Sequence, residues 1–216
     1  MSLDGFRHLP RYLAAADQER LLIEIIDVVA AAPWYTPAMP RTGMPFSVQM
    51  TNCGPLGWVS DQAGGYRYQA THPHTGQPWP ALPRALLELW QALAGFAAPP
   101  EACLVNYYTG KAKLGLHRDE DEQEMAAPVV SVSLGDDAWF WVGGRSRRDA
   151  KNRILLKSGD VVVLGGPARL AYHGIARIAA GSSGLLRSAP HAGAARPDWL
   201  TAGGRINLTL RRVTRQ

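Results

Sequence analysis

The chain has 216 residues, 46% of them hydrophobic and 19% charged, which supplies one sizeable core and excludes a disordered or fibrous chain. Its 23 Lys and Arg against 18 Asp and Glu give a net charge of +5, and the excess is uneven: residues 1–108 carry 6 basic and 8 acidic groups, residues 109–216 carry 17 and 10. That asymmetry is compatible with an anionic partner such as nucleic acid without requiring one. In chain order, the opening MSLDGFRHLPRYLAAA has neither the apolar run nor the cleavage site of a secretory signal. Asp17 is a candidate cap for a helix in which Leu21, Leu22, Ile25, Ile26 and Val29 recur at helical spacing before Pro33. Residues 40–80, rich in Gly, Pro, Thr and aromatics, read as a loop-rich cover. A second helix opens with Pro83 near its first turn, carries Leu86, Leu87, Leu89, Trp90 and Leu93, and stops at Gly95. After residue 100, the short β-type runs CLVNYY, VVSVSL, AWFWV, RILL, DVVVL and RINLTLRRV follow one another, the texture of a sandwich or barrel rather than of βαβ units.

No stretch approaches the roughly 18 apolar residues of a membrane span. Cys53 and Cys103 are too few for a disulfide scaffold and lack zinc spacing, so the expected compartment is the reducing cytoplasm, without membrane contact. With no internal repeat or low-complexity linker, one domain (1–216) is the simplest organisation, with a helical and loop-rich elaboration over 1–100 and a β core over 101–216.

His117 and Asp119 follow the short run Lys113 to Leu116, and in an extended chain they point to one side. His173, just beyond DVVVL and its Gly-Gly turn, is placed to add a third ligand. Two imidazoles and one carboxylate leave coordination positions open for a bidentate cosubstrate and oxygen on iron(II). His-x-Asp alone is a weak signal, equally at home on a solvated strand end. The acidic run 119–124 lacks the Gly and terminal Glu spacing of an EF-hand and reads as a solvated loop. His72 and His74 have no carboxylate or thiolate close in sequence, His191 sits among Ala and Gly, and His8 carries no signal. In RINLTLRRV, Arg205, Asn207, Thr209 and Arg211 share one face and Ile206, Leu208 and Leu210 the other. The polar face suits either water or a small dicarboxylate, because guanidinium matches carboxylate bidentately. Asn106 and Tyr108 form a second i, i+2 pair able to reach the same ligand.

Taken together, SVQMTNCGPLGW, GYRY, QPWPALP, CLVNYYTGKAKLGLHRDEDE, PVVSVSLGDDAWFWVGG, GDVVVLGGPARLAYHGI and RINLTLR resemble the AlkB family of iron(II)- and 2-oxoglutarate-dependent dioxygenases, and its bacterial DNA-repair branch in particular. The resemblance runs from about residue 40 to the C-terminus. It implies a mainly β fold with N-terminal helices, a double-stranded β-helix (jelly roll) under a nucleotide-recognition lid over about 45–80. It implies His117, Asp119 and His173 as iron ligands, and Arg205, Asn207, Arg211, Asn106 and Tyr108 around 2-oxoglutarate, with Arg205 on its distal carboxylate. Trp58 matches the aromatic that stacks a flipped base against His117, although a loop aromatic pinning the lid is the plainer account of the residue alone. Tyr66 and Thr51 match positions that touch the nucleic-acid backbone, Tyr68 one that lines the pocket, and Asp121 the carboxylate facing the base edge, where it favours cationic lesions such as 1-methyladenine or 3-methylcytosine. Glu120 departs from relatives with a basic residue there. Backbone contact is therefore expected to shift to Arg145, Arg147, Arg148, Lys151 and Arg153.

The implied activity is oxidative demethylation by a monomer acting on alkylated DNA, or RNA. With Fe(II), 2-oxoglutarate and O2, it yields succinate, carbon dioxide and formaldehyde. The same chemistry on RNA, protein or a small molecule is the second expectation, and a metal-free jelly-roll binding module the third.

Overall fold

The computed structural model describes residues 3–190 and 196–215, so His191 lies outside the described residues. Two helices form as their apolar spacing predicts. Helix α1 (Ala15–Ala31) buries Leu21, Leu22, Ile25, Ile26, Val28 and Val29, and α2 (Arg84–Leu93) buries Leu86, Leu89, Trp90 and Leu93. Their starts differ from expectation by a few residues. Ala14 occupies the N-cap of α1 without a side-chain hydrogen bond, while Asp17 lies in the first turn, pairs with Arg20 and complements the helix dipole. Pro83 is the N-cap of α2 rather than part of its first turn. Among the described residues no helix is long and apolar enough to cross a membrane.

In chain order the strands are β1 (Phe6–Leu9), β2 (Gln49–Cys53), β3 (Gly57–Asp61), β4 (Gly65–Gln69), β5 (Ala102–Tyr108), β6 (Leu114–His117), β7 (Val129–Gly135), β8 (Asp137–Val142), β9 (Asn152–Leu156), β10 (Val161–Leu164), β11 (His173–Ala179) and β12 (Arg205–Arg211). A larger sheet runs β1-β10-β7-β12-β5-β2 and a smaller one β6-β11-β8-β9, with β3-β4 as a separate hairpin. This is the expected double-stranded β-helix, a mainly β fold with N-terminal helices.

Alternation along the larger sheet sorts its side chains between two layers. Cys103, Val105 and Tyr107 of β5, Val130, Val132 and Leu134 of β7, and Ile206, Leu208 and Leu210 of β12 pack on the helix side with α1 and α2. Leu104, Asn106, Ser131, Asn207 and Thr209 take the opposite side, toward the smaller sheet.

The N-terminal hundred residues do more than cover the barrel. They supply both edge strands of the larger sheet, β1 beside β10 and β2 beside β5. Position 100 is thus no boundary between cover and barrel, and within the expected lid β2 belongs to the sheet. The sequence signal for β1 and β2 is weak because an edge strand draws its stability from a partner distant in sequence.

Candidate active site

The two imidazoles meet through strand pairing. His117 ends β6, His173 begins β11, and they are directly opposed in the antiparallel register, with ring centroids 4.5 Å apart. Gly174 permits that pairing: a Cβ there would lie 2.7 Å from the Leu114 carbonyl oxygen and 2.8 Å from that of Gly115. Asp119, two residues beyond β6, completes the group, with 3.6 Å from Oδ1 to His117 Nε2 and 3.7 Å from Oδ2 to His173 Nε2. One ligand atom from each of the three residues lies within 4.8 Å of the others.

The protonation pattern suits a cation. His117 Nδ1 is 2.8 Å from the Gly115 carbonyl oxygen and His173 Nδ1 2.9 Å from that of Ala171; a carbonyl can only accept, so each Nδ1 carries the proton and each Nε2 keeps its lone pair. Burial, then the neighbouring His117, lowers the His173 pKa to about 4, so the ring is neutral at physiological pH. Burial opposes ionisation of Asp119, but its positive surroundings, first of all the Arg211 guanidinium at 2.9 Å, outweigh it and hold the carboxyl well below the usual carboxylate range. Its Oδ2 is buried with no hydrogen-bond partner in the described structure. An unpartnered anionic oxygen beside His173 Nε2, in a carboxylate whose other oxygen lies beside His117 Nε2, is what a divalent iron would satisfy, and the donor set fits it.

Behind the triad lies a buried charge network that the sequence reading placed in solvent. Glu122, in the acidic run, is fully enclosed: Arg211 Nη1 lies 2.6 Å from Oε1, Arg169 Nη2 2.9 Å from Oε2, and the Tyr68 hydroxyl donates to Oε1. Arg169 also donates to the backbone carbonyls of Asp119 and Ala127. Nothing in the local spacing of DEDEQE or GGPARL signals this, because the partners lie 47 and 89 residues from Glu122. Tyr68 is thereby corrected: its hydroxyl is spent on Glu122 and Arg211 rather than on the cavity wall.

A cavity of about 510 Å³ opens over the triad, lined by His117, Asp119, His173, Asn106, Tyr108, Asn207 and Arg211 below and by Trp58, Tyr66, Asp121 and Arg147 toward its mouth. Asn207 sits opposite Asn106 in the register, with its amide nitrogen donating to Ser131 Oγ and Val132 O and its oxygen accepting from Thr209. Arg205 is not on the cavity wall. It is fully buried beside Tyr108, bonded to Ser133 Oγ and the Asp136 carbonyl, with Nε unpartnered. Burial pushes its pKa down to about 10, and no described carboxylate forms an ion pair with it. A buried guanidinium left in that condition suits an anion entering beside it.

At the mouth, Trp58 (8% exposed) donates its indole N–H to Asp121 Oδ2 at 2.8 Å and stacks on Tyr66 at 5.5 Å with an interplanar angle of 22°. It thus pins the β3-β4 hairpin to the loop after β6 and also lines the cavity. Met39 and Phe46, which the sequence did not single out, line it too. Glu120 forms an ion pair with Arg118 at 2.6 Å, which balances its charge locally. His72 is structural, its Nε2 2.8 Å from the Pro33 carbonyl oxygen.

Thr51 is a second correction. It is fully buried on β2 and donates to the Ala32 carbonyl at 2.8 Å, so it cannot touch a nucleic-acid backbone. Thr51→Val is expected to cost about 1–3 kcal/mol in denaturant titration by orphaning that carbonyl, with unchanged oligonucleotide affinity.

The profile of the 2OG-Fe(II) oxygenase superfamily matches residues 5–211. An alpha-ketoglutarate-dependent dioxygenase AlkB homolog of Caulobacter vibrioides is 46% identical over 97% of this chain and 88% of its own. The chain belongs to the AlkB family. The AlkB of Escherichia coli is 47% identical over 76% of each chain, and the structure of OsALKBH1 matches with a TM-score of 0.72 and 32% identity over 96% of this chain and 98% of that one. This AlkB-family protein is an iron(II)- and 2-oxoglutarate-dependent dioxygenase, and its cofactor and cosubstrates are Fe(II), 2-oxoglutarate and O2.

Proposed function

We propose that the protein removes N-alkyl groups from bases in DNA by oxidative demethylation, preferring cationic lesions such as 1-methyladenine and 3-methylcytosine, and that it works as a cytoplasmic monomer. The observation that carries this is the placement of Trp58, Tyr66 and the Asp121 carboxylate around the mouth of the cavity whose floor holds the triad. His117, Asp119 and His173 would hold the iron. With iron(II), 2-oxoglutarate and O2 bound, the site would supply the chemistry that hydroxylates the N-methyl carbon, one oxygen atom going to that carbon and the other to succinate formed from 2-oxoglutarate with loss of CO2, after which the adduct releases formaldehyde.

The chain's own residues do the rest. Arg205 offers an unpaired charge to the distal carboxylate of 2-oxoglutarate, with Asn106, Tyr108, Asn207 and Arg211 along its length. Trp58, held in plane by Asp121, offers a π-face to an extruded base opposite His117, and Asp121 adds negative charge near a positively charged lesion. Tyr66, half exposed, and Arg147 are placed to meet the flanking backbone.

The test is incubation with iron(II), 2-oxoglutarate and ascorbate against methylated DNA and RNA oligonucleotides, following loss of the methyl mass. Succinate formation with no repair of any oligonucleotide would sink the proposal, and faster repair of RNA would replace DNA as substrate. Trp58→Ala is expected to weaken repair by about 5–100-fold while succinate formation without a nucleic acid continues. Wild-type repair kinetics in that variant would remove the stacking role.

A further inference from the structure

The outer face of the smaller sheet carries a surface that the cavity does not use. Strand β8 alternates cleanly: Ala138, Phe140 and Val142 are buried, while Trp139 and Trp141 face outward and are only half buried. Directly opposite Trp141 is Arg153 on β9, and directly opposite Trp139 is Arg177 on β11, so all four share one face. The Arg153 guanidinium lies 4.3 Å from the Trp139 ring and 6.0 Å from that of Trp141. Outward tryptophans on a sheet ordinarily gain a covering layer, and here both rings stay partly exposed with the Arg153 guanidinium against them.

Charge indicates what covers them. No ion pair among the described residues involves Arg153, Arg177 or the hairpin arginines Arg145, Arg147 and Arg148. Arg153 and Arg177 beside two indoles, with Arg145, Arg147 and Arg148 in the hairpin that follows β8, combine fixed positive charge with stacking faces, the pairing that binds single-stranded nucleic acid without regard to sequence. The surface also continues to the cavity. Tyr172 sits between the two, hydrogen-bonded through its backbone to Gly143 and Gly144 at the end of β8, with Arg147 and Arg118 over its ring at 5.9 and 5.6 Å. Tyr172 and Arg147 line the cavity mouth. Along β8 the two tryptophans are about 7 Å apart, comparable with one phosphate step of an extended strand.

We propose that this face is a second nucleic-acid contact, a track on which the strand flanking the target nucleotide stacks on Trp141 and Trp139 with its phosphates on Arg153 and Arg177. It rests on the reading that the substrate is a nucleic acid and adds where the strand runs outside the cavity. It follows that the protein grips long single strands more tightly than short ones, through residues remote from the iron.

The test compares wild type with Trp139→Ala/Trp141→Ala and, separately, Arg177→Glu, the latter an exposed position whose change leaves the sheet intact. Anisotropy is read with a labelled, unmethylated single-stranded 20-mer and with a pentamer. Iron-dependent succinate formation without nucleic acid monitors the cavity. Each variant is expected to bind the 20-mer about tenfold more weakly, with pentamer affinity and succinate formation unchanged. Arg177→Glu is expected to flatten the salt dependence by roughly one counterion. Unchanged 20-mer affinity in Arg177→Glu overturns the proposal and leaves the face to a protein partner or to sheet stability, as does equal weakening of both oligonucleotides. The two readings fail separately: wild-type protein that repairs no oligonucleotide, yet loses 20-mer binding on these substitutions, refutes the demethylase and keeps the track.

Discussion

Asp119→Ala is expected to abolish both demethylation and uncoupled succinate formation, because the protein no longer retains iron. The carboxylate is the triad's anionic ligand, set beside the imidazoles of His117 and His173. It is also the partner of Arg211, whose Nη2 lies 2.9 Å from Oδ1. Removing it leaves a fixed guanidinium beside the metal position with no carboxylate of the triad to offset it, so a dication is repelled where it was held. Asp119→Asn isolates the charge, since it keeps the size and one oxygen of the side chain, and the same loss is expected. Iron content after anaerobic reconstitution and succinate release are the measurements. Stoichiometric iron with succinate formed in either variant would remove Asp119 from the metal site.

Glu122→Ala is expected to have the largest effect on stability, about 3–5 kcal/mol, with a fall in melting temperature of roughly 10 °C or more. The substitution strips two buried guanidinium groups, Arg169 and Arg211, and the Tyr68 hydroxyl of their common acceptor. Most of the cost is the penalty of uncompensated buried charge rather than the strength of any one bond. Iron affinity should weaken too, by about 10–100-fold, because Arg211 then has only Asp119 to pair with. The pH dependence has a definite sign. Burial on its own raises the Glu122 pKa, but Arg211 and then Arg169 more than reverse it, so the folded value lies below 4.5. A depressed carboxylate pKa contributes stability that is full above the unfolded value and is lost as pH falls through the folded one. Wild type should therefore lose stability on acidification below about pH 4.5, and Glu122→Ala should lose less over the same interval. Equal melting temperatures, or parallel acid profiles, would show that the network is not coupled to folding.

Glu122 also marks the limit of what local sequence reveals. Asp119, Glu120, Asp121 and Glu122 form one acidic run that composition alone reads as a solvated loop, although the His-x-Asp spacing singles out Asp119 and the family resemblance Asp121. The structure gives each a different fate: a triad carboxylate with one oxygen on Arg211 and the other unpartnered, an ion pair with Arg118, a hydrogen bond to the Trp58 indole, and a buried hub. Those fates depend on elements tens of residues away. Thr51 and Tyr68 fail for the same reason, since a short motif carries residue type but not the side to which a strand turns it.

What the sequence alone determined was whatever is written in local periodicity and ordered motifs: both main helices, most strands of the core, the alternating polar face of β12 and the His-x-Asp pair with its distal histidine. Register was decided only in three dimensions. The pairing of β6 with β11 sets His117 against His173, the cross-strand order turns Trp139 and Trp141 outward, and β1 and β2, faint in sequence, become the sheet's edges. The physical reason is that strand pairing joins distant segments. A period of two says which residues share a face, but only the partner strand says what that face meets.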